Sequence, residues 1–237
     1  MNKKIILSSL SSLLFLSQAA NAEIKIGQGS LTFNAAVASQ YITRGIDQNK
    51  DSATPSVGAD FTIPAGGFNL YVGAWVSGSD INLGASQERD YYLGINKAFG
   101  ITTLDIGYIT YNYPSVTDKS LNNAEYYAKL TIAPEKKPYT FGIAYYLDDT
   151  DGVKSSSGVK SDKDYYEVNA TYDFGPVQSL ISYGVLDNDT NTTTVALSKE
   201  LAGIGFTLSY ISAERDGSLS NLYKDKEYVT LSAKKVF

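Results

Sequence analysis

Ionisable side chains recur at alternate positions along several apolar runs of this sequence. Glu125, Tyr127 and Lys129 are spaced two residues apart, which places them on one face of an extended chain. The sequence has no histidine and no cysteine, so it lacks the commonest general base, the commonest zinc ligand and the thiol nucleophile. A serine nucleophile would need a lysine or a carboxylate as its base. The pattern therefore predicts a charged surface along strands and argues against an enzyme.

A set of such residues is predicted to line an interior surface, because each has the parity opposite to that of the neighbouring apolar side chains. The predicted lining residues are Arg44, Asp60, Asp105, Tyr111, Glu125, Tyr127, Lys129, Glu167 and Arg215. Arg44 is assigned to the first strand in this prediction. Acidic groups outnumber basic ones on the predicted lining, which indicates a weak preference for cations. No cofactor and no metal site is expected.

The three arginines all lie near the ends of predicted strands. On the parity above, Arg44 and Arg215 point inward and Arg89 points outward. Inward arginines could form part of a ring that selects solutes by charge. They could also pair with neighbouring carboxylates such as Asp47 and Glu214, and we favour this second interpretation.

Apolar residues recur with a period of two from residue 30 onward, which is typical of strands with two different faces. The clearest example consists of Tyr139, Phe141, Ile143, Tyr145 and Leu147. The spacing of about 3.6 that an amphipathic helix requires is almost absent. We predict about twelve strands of about 10 to 13 residues, which is long enough to cross a bilayer at a tilt.

Short and long connections alternate between the predicted strands. Tight-turn residues occur at 64–67, 98–100, 134–138, 175–176 and 202–203, and longer polar connections lie near 45–54, 79–87, 114–122, 149–162, 188–191 and 215–224. Short turns at one rim and mostly long loops at the other are typical of transmembrane barrels, in which the short turns are periplasmic. The predicted fold class is therefore all-β, a transmembrane antiparallel β-barrel of about twelve strands with both termini periplasmic.

The first residues of the chain have the pattern of a cleaved secretory signal peptide at 1–22. Lys3 and Lys4 form a basic start, residues 5–16 are apolar, and Ala-Asn-Ala precedes the predicted cleavage site. The barrel domain is then expected at residues 23–237. A formal charge of -5 disfavours nucleic acid as a partner. These features predict export to the outer membrane of a Gram-negative bacterium.

Phenylalanine and tyrosine are distributed differently along the predicted strands. Phenylalanines fall beside the short turns or at the termini, at Phe33, Phe61, Phe68, Phe99, Phe141, Phe174, Phe206 and Phe237. Tyrosine pairs fall beside the long loops, at 91–92, 126–127, 145–146 and 165–166. Two belts of rings one strand length apart are what the two lipid–water interfaces favour. The alternative, aromatic pairs in the core of a β-sandwich, gives no reason for this segregation.

Several motifs in the first half of the chain resemble one bacterial family. They are Ser39 to Gln48 with Pro55, Gly58 and Asp60, then Gly67-Phe68, Tyr71 to Ser77, Asp90 to Gly94, Asp105 to Tyr108, Tyr111 to Pro114 and Glu125 to Ala128. They resemble the TorF-type porin family, Gcw_chp, and the resemblance covers most of the chain, weakly in its last quarter. Ala74 stands where the family motif has cysteine or another small residue. The resemblance implies an outer-membrane barrel and a porin, without a defined solute.

The chain ends in Phe237, preceded at alternate positions by Val229, Leu231 and Ala233. This ending resembles the C-terminal strand of outer-membrane proteins, whose terminal aromatic residue is recognised by the barrel-assembly machinery. Outer-membrane lipid and lipopolysaccharide are the other partners that the resemblance implies.

Two functions from different classes remain open, and a third is disfavoured. The first is a porin that lets small hydrophilic solutes or ions diffuse through a narrow lumen, since twelve strands lie between filled barrels of about eight strands and open ones of about 16. The second is a non-conducting barrel, closed by pairs such as Glu125 with Lys129, whose loops, especially 148–164, act in binding or adhesion. The third is an enzyme with a carboxylate site.

Overall fold

The described part of the chain consists of antiparallel strands joined by turns and loops. The computed structural model describes residues 23–79, 86–114, 122–149, 164–187, 190–215 and 225–237, and the predicted signal peptide at 1–22 lies outside them. Within these ranges no helix has the length and apolar character to span a membrane. The strands are β1 (Glu23–Ile26), β2 (Gly29–Ala38), β3 (Ile42–Thr43), β4 (Ile46–Asp47), β5 (Thr54–Ala65), β6 (Phe68–Ser77), β7 (Glu88–Phe99), β8 (Thr102–Asn112), β9 (Asn123–Ile132), β10 (Tyr139–Asp148), β11 (Tyr165–Asp173), β12 (Gln178–Leu186), β13 (Thr190–Leu201), β14 (Ile204–Arg215) and β15 (Lys226–Val236).

Strands β2 and β5 to β15 form a closed ring of twelve. From β5 to β15 each strand pairs with the next one in the chain, and β2 pairs with both β5 and β15. Hydrogen bonds between the backbones of Phe33 and Phe237, at 2.8 and 3.1 Å, complete the seam. Closure gives every strand of the described ring two neighbours, so its backbone N–H and C=O groups are paired without water. The predicted twelve-stranded antiparallel barrel is confirmed.

Strand β1 lies outside the ring and extends its seam. Residues of β1 pair with positions 29–32 of β2, whereas β15 pairs with positions 34–38 along the same edge. Strand β1 therefore occupies the place that β15 leaves after Phe237. The start of β2 and the end of β15 both lie at the rim that carries the short turns.

A two-residue turn joins β5 and β6 at this rim. Ala65 pairs with Phe68, and the two residues between them, Gly66 and Gly67, have φ of 58° and 85°. Positive φ at both central positions is the type I′ geometry, whose twist matches that of the flanking strands. Glycine adopts it without steric cost, which explains the tight turn predicted at 64–67.

The outer face of the barrel is apolar and its inner face is polar. Leu93 and Ile143 are 58% and 55% exposed on the outer face, although they lie in the middle of their strands. Asp90, Asp105 and Glu125 have the opposite parity and are buried. A β-sandwich would bury the apolar side chains instead. The observed arrangement is the one that a ring of strands needs in hydrocarbon.

Aromatic side chains mark both rims of the outer face. At the short-turn rim the ammonium group of Lys97 lies 4.2 Å from the centre of the Phe68 ring. At the other rim the rings of Tyr145 and Tyr166 stack with their centres 5.0 Å apart. Tyr139 and Tyr172 depart from the predicted segregation, because they lie at the phenylalanine rim, at the start of β10 and one residue before β11 ends. The two belts otherwise follow the pattern of residue types in the sequence.

The first barrel strand is shorter than the sequence predicts, which corrects the assignment of Arg44. Strand β2 ends at Ala38, and the backbones of Arg44 and Gly45 have φ of 50° and 74°. A positive φ is incompatible with an extended strand, so the alternation stops and the chain turns inward. Residues 39–53, which include the short pair of β3 and β4, enter the barrel interior. We call residues 39–53 the inward segment.

We expect a charge on the outer face to destabilise the barrel. Val168 is exposed on the outer face of β11, so Val168→Lys would put an ammonium group into hydrocarbon and lower the free energy of unfolding by about 2 to 4 kcal/mol. The matched control, Ser198→Lys on the inner face of β13, should change it by less than about 1 kcal/mol. Urea unfolding in phospholipid vesicles, followed by the fluorescence of the single tryptophan, measures both variants. Equal losses would contradict the assignment of the two faces.

Candidate functional site in the constricted lumen

The residues predicted to line the interior fall on six structural elements. The inner faces of the strands carry Asp60 on β5, Asp105 on β8, Glu125, Tyr127 and Lys129 on β9, and Glu167 on β11. Tyr111 and Arg215 lie at the long-loop ends of β8 and β14, and Arg44 lies on the inward segment. The structure brings Arg44 and Tyr111 together on Glu125. It places Arg215 elsewhere, beside the backbone of the inward segment.

Tyrosine rings on the inner face occupy the space above glycines of the neighbouring strand. A Cβ atom on Gly73 would lie 2.2 Å from the ring of Tyr92, and a Cβ atom on Gly107 would lie 2.3 Å from the hydroxyl of Tyr127. Packed atoms do not approach so closely, so only glycine fits at these positions. The same contact joins Gly94 to Tyr71 and Gly184 to Tyr165. Glycine thus lets the rings lie along the wall instead of across the lumen.

The hydroxyl groups of these tyrosines bind carboxylates of the inner face. Tyr92 donates to Asp60 at 2.5 Å across the intervening strand β6. Tyr71 donates to Asp105 at 2.5 Å across β7, and its hydroxyl lies 2.6 Å from that of Tyr127. Hydrogen bonds to an ionised acceptor are short and strong. The wall from β5 to β9 is therefore a fixed polar surface rather than a set of mobile side chains.

A salt bridge attaches the inward segment to β9. Nη1 and Nη2 of Arg44 donate to the two carboxylate oxygens of Glu125 at 2.5 and 2.7 Å, and Tyr111 donates to the same carboxylate at 2.9 Å. The Glu125 side chain is fully buried and that of Arg44 is 10% exposed. The guanidinium also lies 4.8 and 4.5 Å from the ring centres of Tyr146 and Tyr165. A bidentate pair beside two rings fixes the tip of the segment.

Burial and the salt bridge act on Arg44 in opposite directions. Burial lowers the pKa of the guanidinium, the Glu125 carboxylate raises it, and the balance leaves the pKa above its ordinary value. Arg44 therefore stays charged in the lumen. The expected pairing of Glu125 with Lys129 is wrong, because the inward segment supplies the partner of Glu125. The ammonium group of Lys129 lies instead 4.3 Å from the ring centre of Tyr127.

The tip of the inward segment also contacts the wall formed by β13 and β14. Nη2 of Arg215 donates to the carbonyl oxygen of Gly45 at 3.1 Å. A Cβ atom on Gly45 would lie 2.7 Å from both Ala213 and Thr192, so the backbone of the segment packs directly on this wall. Ile42 is buried in a cluster with side chains of β14 and β15. The segment therefore spans the lumen from β9 to β14.

Acidic side chains surround the base of the inward segment. Tyr41 and Tyr113 each donate a hydrogen bond of 3.0 Å to Glu88, and the ring of Tyr41 lies 5.5 Å from that of Trp75. Asp90 is fully buried nearby, and neither of its carboxylate oxygens has a hydrogen-bond partner among the described residues. No group of acidic side chains in the described ranges is placed to hold a metal ion. Burying the Asp90 carboxylate without a hydrogen-bond partner therefore costs free energy of folding.

Sequence reasoning missed the inward segment and the packing of tyrosine on glycine. The second feature has a readable signal, because Gly73, Gly94 and Gly107 share the parity of the inner residues. The inward segment has only a weak signal in the sequence, which is the Arg44-Gly45 dipeptide after an alternating run. No local pattern identifies Glu125, 81 positions away in the chain, as its partner.

The fold and the lumen together define a transmembrane β-barrel of the kind found in outer-membrane porins and channels. An outer-membrane channel from Pseudomonas putida F1 has 10% identity and a TM-score of 0.54, with coverage of 92% of this chain and 98% of that one. The KdgM porin has 12% identity and a TM-score of 0.52, with coverage of 87% and 99%. The outer membrane protein OpdK from Pseudomonas aeruginosa has 14% identity and a TM-score of 0.50, with coverage of 90% and 68%. At these identities the similarity concerns the fold.

The chain belongs to the Gcw_chp family, described as a bacterial protein of unknown function, and the family profile matches residues 24–235. The resemblance of the sequence motifs to the Gcw_chp family is therefore confirmed. The match spans the barrel from β2 into β15. No curated protein matches the sequence significantly.

We expect an added methyl group at Gly73 to displace the ring of Tyr92. Gly73→Ala should lower the free energy of unfolding by about 1 to 3 kcal/mol, because its Cβ and the ring compete for one space. The control Gly78→Ala should be close to wild type, since its Cβ would meet nothing nearer than 3.8 Å. The loss in Gly73→Ala/Tyr92→Ala should be smaller than the sum of the two single losses. Additive losses in urea unfolding would contradict the packing.

Proposed function

We propose that the chain is an outer-membrane porin through which small hydrophilic solutes or ions diffuse passively. One observation carries this proposal: a closed ring with an apolar outer face encloses charged side chains, including Asp60, Lys129 and Glu167, that are partly exposed to solvent. A hydrophobic outside and a hydrated inside are what a passage through a bilayer requires. The fold shared with porins and channels supports the proposal. On this proposal the protein is not an enzyme.

The size of the ring limits the proposed solutes. Barrels of about eight strands are filled by side chains and those of about 16 leave an open channel, so twelve strands allow a narrow lumen. The inward segment narrows it further, between Glu125 on β9 and Arg215 on β14. We therefore propose passage of ions and small polar molecules, not of large ones.

The charge of the lumen favours cations weakly. On the inner wall the carboxylates of Asp60, Glu88, Asp90, Asp105, Glu125 and Glu167 outnumber the basic groups of Lys129, Arg215 and Lys234, and the inward segment carries Asp47 and Asp51 with Arg44 and Lys50. Hydrogen bonds from tyrosines hold the carboxylates of Asp60 and Asp105 in place. An excess of negative charge attracts cations into a narrow hydrated passage.

The proposed location is the outer membrane of a Gram-negative bacterium, with residues 1–22 as a cleaved signal peptide. In this arrangement the short-turn rim and both termini are periplasmic, and the outer face contacts lipid and lipopolysaccharide. Membership of the Gcw_chp family and the motifs of its first half support a TorF-type porin. Phe237 is proposed as the residue that the barrel-assembly machinery recognises.

A second candidate function is a non-conducting barrel whose loops act in binding or adhesion. The observation that favours it is the inward segment itself, which contacts opposite walls of the lumen through Arg44 and Gly45. The loop at 148–164, to which this function was assigned from the sequence, lies almost entirely outside the described residues.

Reconstitution of the folded protein into planar bilayers separates the two functions. Stepwise currents, even brief ones, are expected from a porin in which a segment narrows the passage. A barrel that is folded by circular dichroism but never conducts, with or without the inward segment attached to Glu125, would favour the second function.

Neutralising an inner carboxylate should weaken the cation preference. We expect Glu167→Gln to shift the reversal potential in a salt gradient toward anion permeability, because it removes a negative charge from the lumen. Glu227→Gln is the matched control, since Glu227 lies on the outer face of β15 and should leave the reversal potential unchanged. An equal shift of the reversal potential in both variants would contradict the assignment of Glu167 to the lumen.

Replacing the last residue should impair assembly more than replacing another exposed phenylalanine of the same rim. Phe237→Ala is expected to reduce the amount of folded barrel in the outer membrane several-fold, and Phe174→Ala much less. Both rings are exposed, so a difference reports recognition at the C-terminus and not burial. Quantitative gels of unheated membrane samples measure the folded fraction, and equal effects would contradict the proposed role of Phe237.

A further inference from the structure

We propose that the inward segment, residues 39–53, is the gate of the channel and that the salt bridge between Arg44 and Glu125 is its latch. The proposal rests on the porin function proposed above, and the structure then represents the closed state. Opening moves the tip of the segment away from β9 toward the long-loop rim. The twelve-stranded ring stays unchanged in both states.

The segment lies at a level where solvent does not reach the inner wall. Glu125 and Ile109 on one side and Thr190 on the other are at most 1% exposed. The tip touches both sides, through the Arg44 salt bridge and through the carbonyl oxygen of Gly45. On this proposal a solute passes these walls after the segment has moved.

The attachment of the segment permits such a movement. The ladder between β2 and β5 ends with the pair of Ala38 and Thr54, and Ser39 is bonded to Leu231 of β15, so the two fixed ends of the segment lie close together at the ring. Strands β3 and β4 pair with each other and not with the ring. Moving the tip therefore breaks no backbone hydrogen bond of the barrel ladders. A loop with close, fixed ends that moves as a unit is a common switching element.

A buried ion pair makes the closure reversible. Taking two charges out of water costs free energy, which their mutual attraction offsets only in part. When Arg44 and Glu125 separate in a hydrated lumen, each charge regains water. Separating this pair exposes no apolar surface, whereas the buried contact of Ile42 with β14 and β15 holds the segment in the closed position. The pair thus holds the segment firmly in one geometry and still allows release.

The closed state also carries two local costs that opening relieves. Asp90 is buried beside Glu88 and Glu125 with neither of its oxygens hydrogen-bonded, and water entering the lumen would solvate it. Arg44 has a φ of 50°, which non-glycine residues rarely adopt. The latch balances these costs, and two states of similar free energy are what a gate requires.

Single-channel recording of the folded full-length barrel tests the gate. Arg44→Ala removes the latch and should raise the ratio of open to closed time by about tenfold or more. Arg89→Ala is the matched control, because Arg89 is exposed on the outer face of β7 and its side chain donates a hydrogen bond to its neighbour Gln87. The control should have the same ratio of open to closed time as the wild-type protein.

The outcomes distinguish the gate from the porin function on which it rests. If Arg44→Ala and wild type conduct with equal open times, the gate is overturned and the porin function stands. If neither protein conducts although circular dichroism shows both to be folded, the porin function is overturned, and the gate with it.

A reversible cross-link gives a second test that does not depend on one substitution. The chain has no cysteine, so Arg44→Cys/Glu125→Cys carries two unique thiols at the two ends of the latch. This variant should conduct like Arg44→Ala, close when a short bis-thiosulfonate joins the thiols, and reopen on reduction. Currents that persist after mass spectrometry confirms the cross-link would overturn the gate.

Discussion

The need to pair every backbone N–H and C=O group in an apolar medium is the constraint on which this structure depends. The sheet meets it by closing between β2 and β15, where Phe33 and Phe237 exchange two hydrogen bonds. Closure in turn fixes which side chains face outward, because alternate residues of a strand point to opposite faces. The apolar exterior, the polar interior and the position of the chain ends all follow from that one ring.

The inner face of the barrel carries large polar side chains that lie along the wall and not across the lumen. Glycines such as Gly73 and Gly107 leave room for the rings of Tyr92 and Tyr127 along the wall. The hydroxyl of Tyr127 then contacts that of Tyr71, and the hydroxyl of Tyr92 donates to the carboxylate of Asp60. A fixed polar wall costs little rearrangement when a solute passes, which suits a passage better than mobile charged side chains would.

The inward segment determines how the lumen can function. Its tip contacts β9 through Arg44 and β14 through Gly45. The residues that narrow the lumen therefore also connect two opposite walls of the barrel. The same arrangement contains a buried ion pair and the carboxylate of Asp90 without a hydrogen-bond partner among the described residues. On the proposed porin function, stability and permeability are coupled, because both depend on where the segment lies.

The sequence by itself determined the strand number, the two faces, the turns and the polar parity of residues such as Asp60 and Glu167, because these depend on a local period of two and on local turn chemistry. It could not place Arg44, since the left-handed backbone at Arg44 and Gly45 ends the period and no local rule says where the chain then goes. Only the tertiary structure paired Arg44 with Glu125 instead of Lys129. The physical reason is that closing the barrel brings residues 81 positions apart into contact, and a charge binds the partner that packing makes nearest.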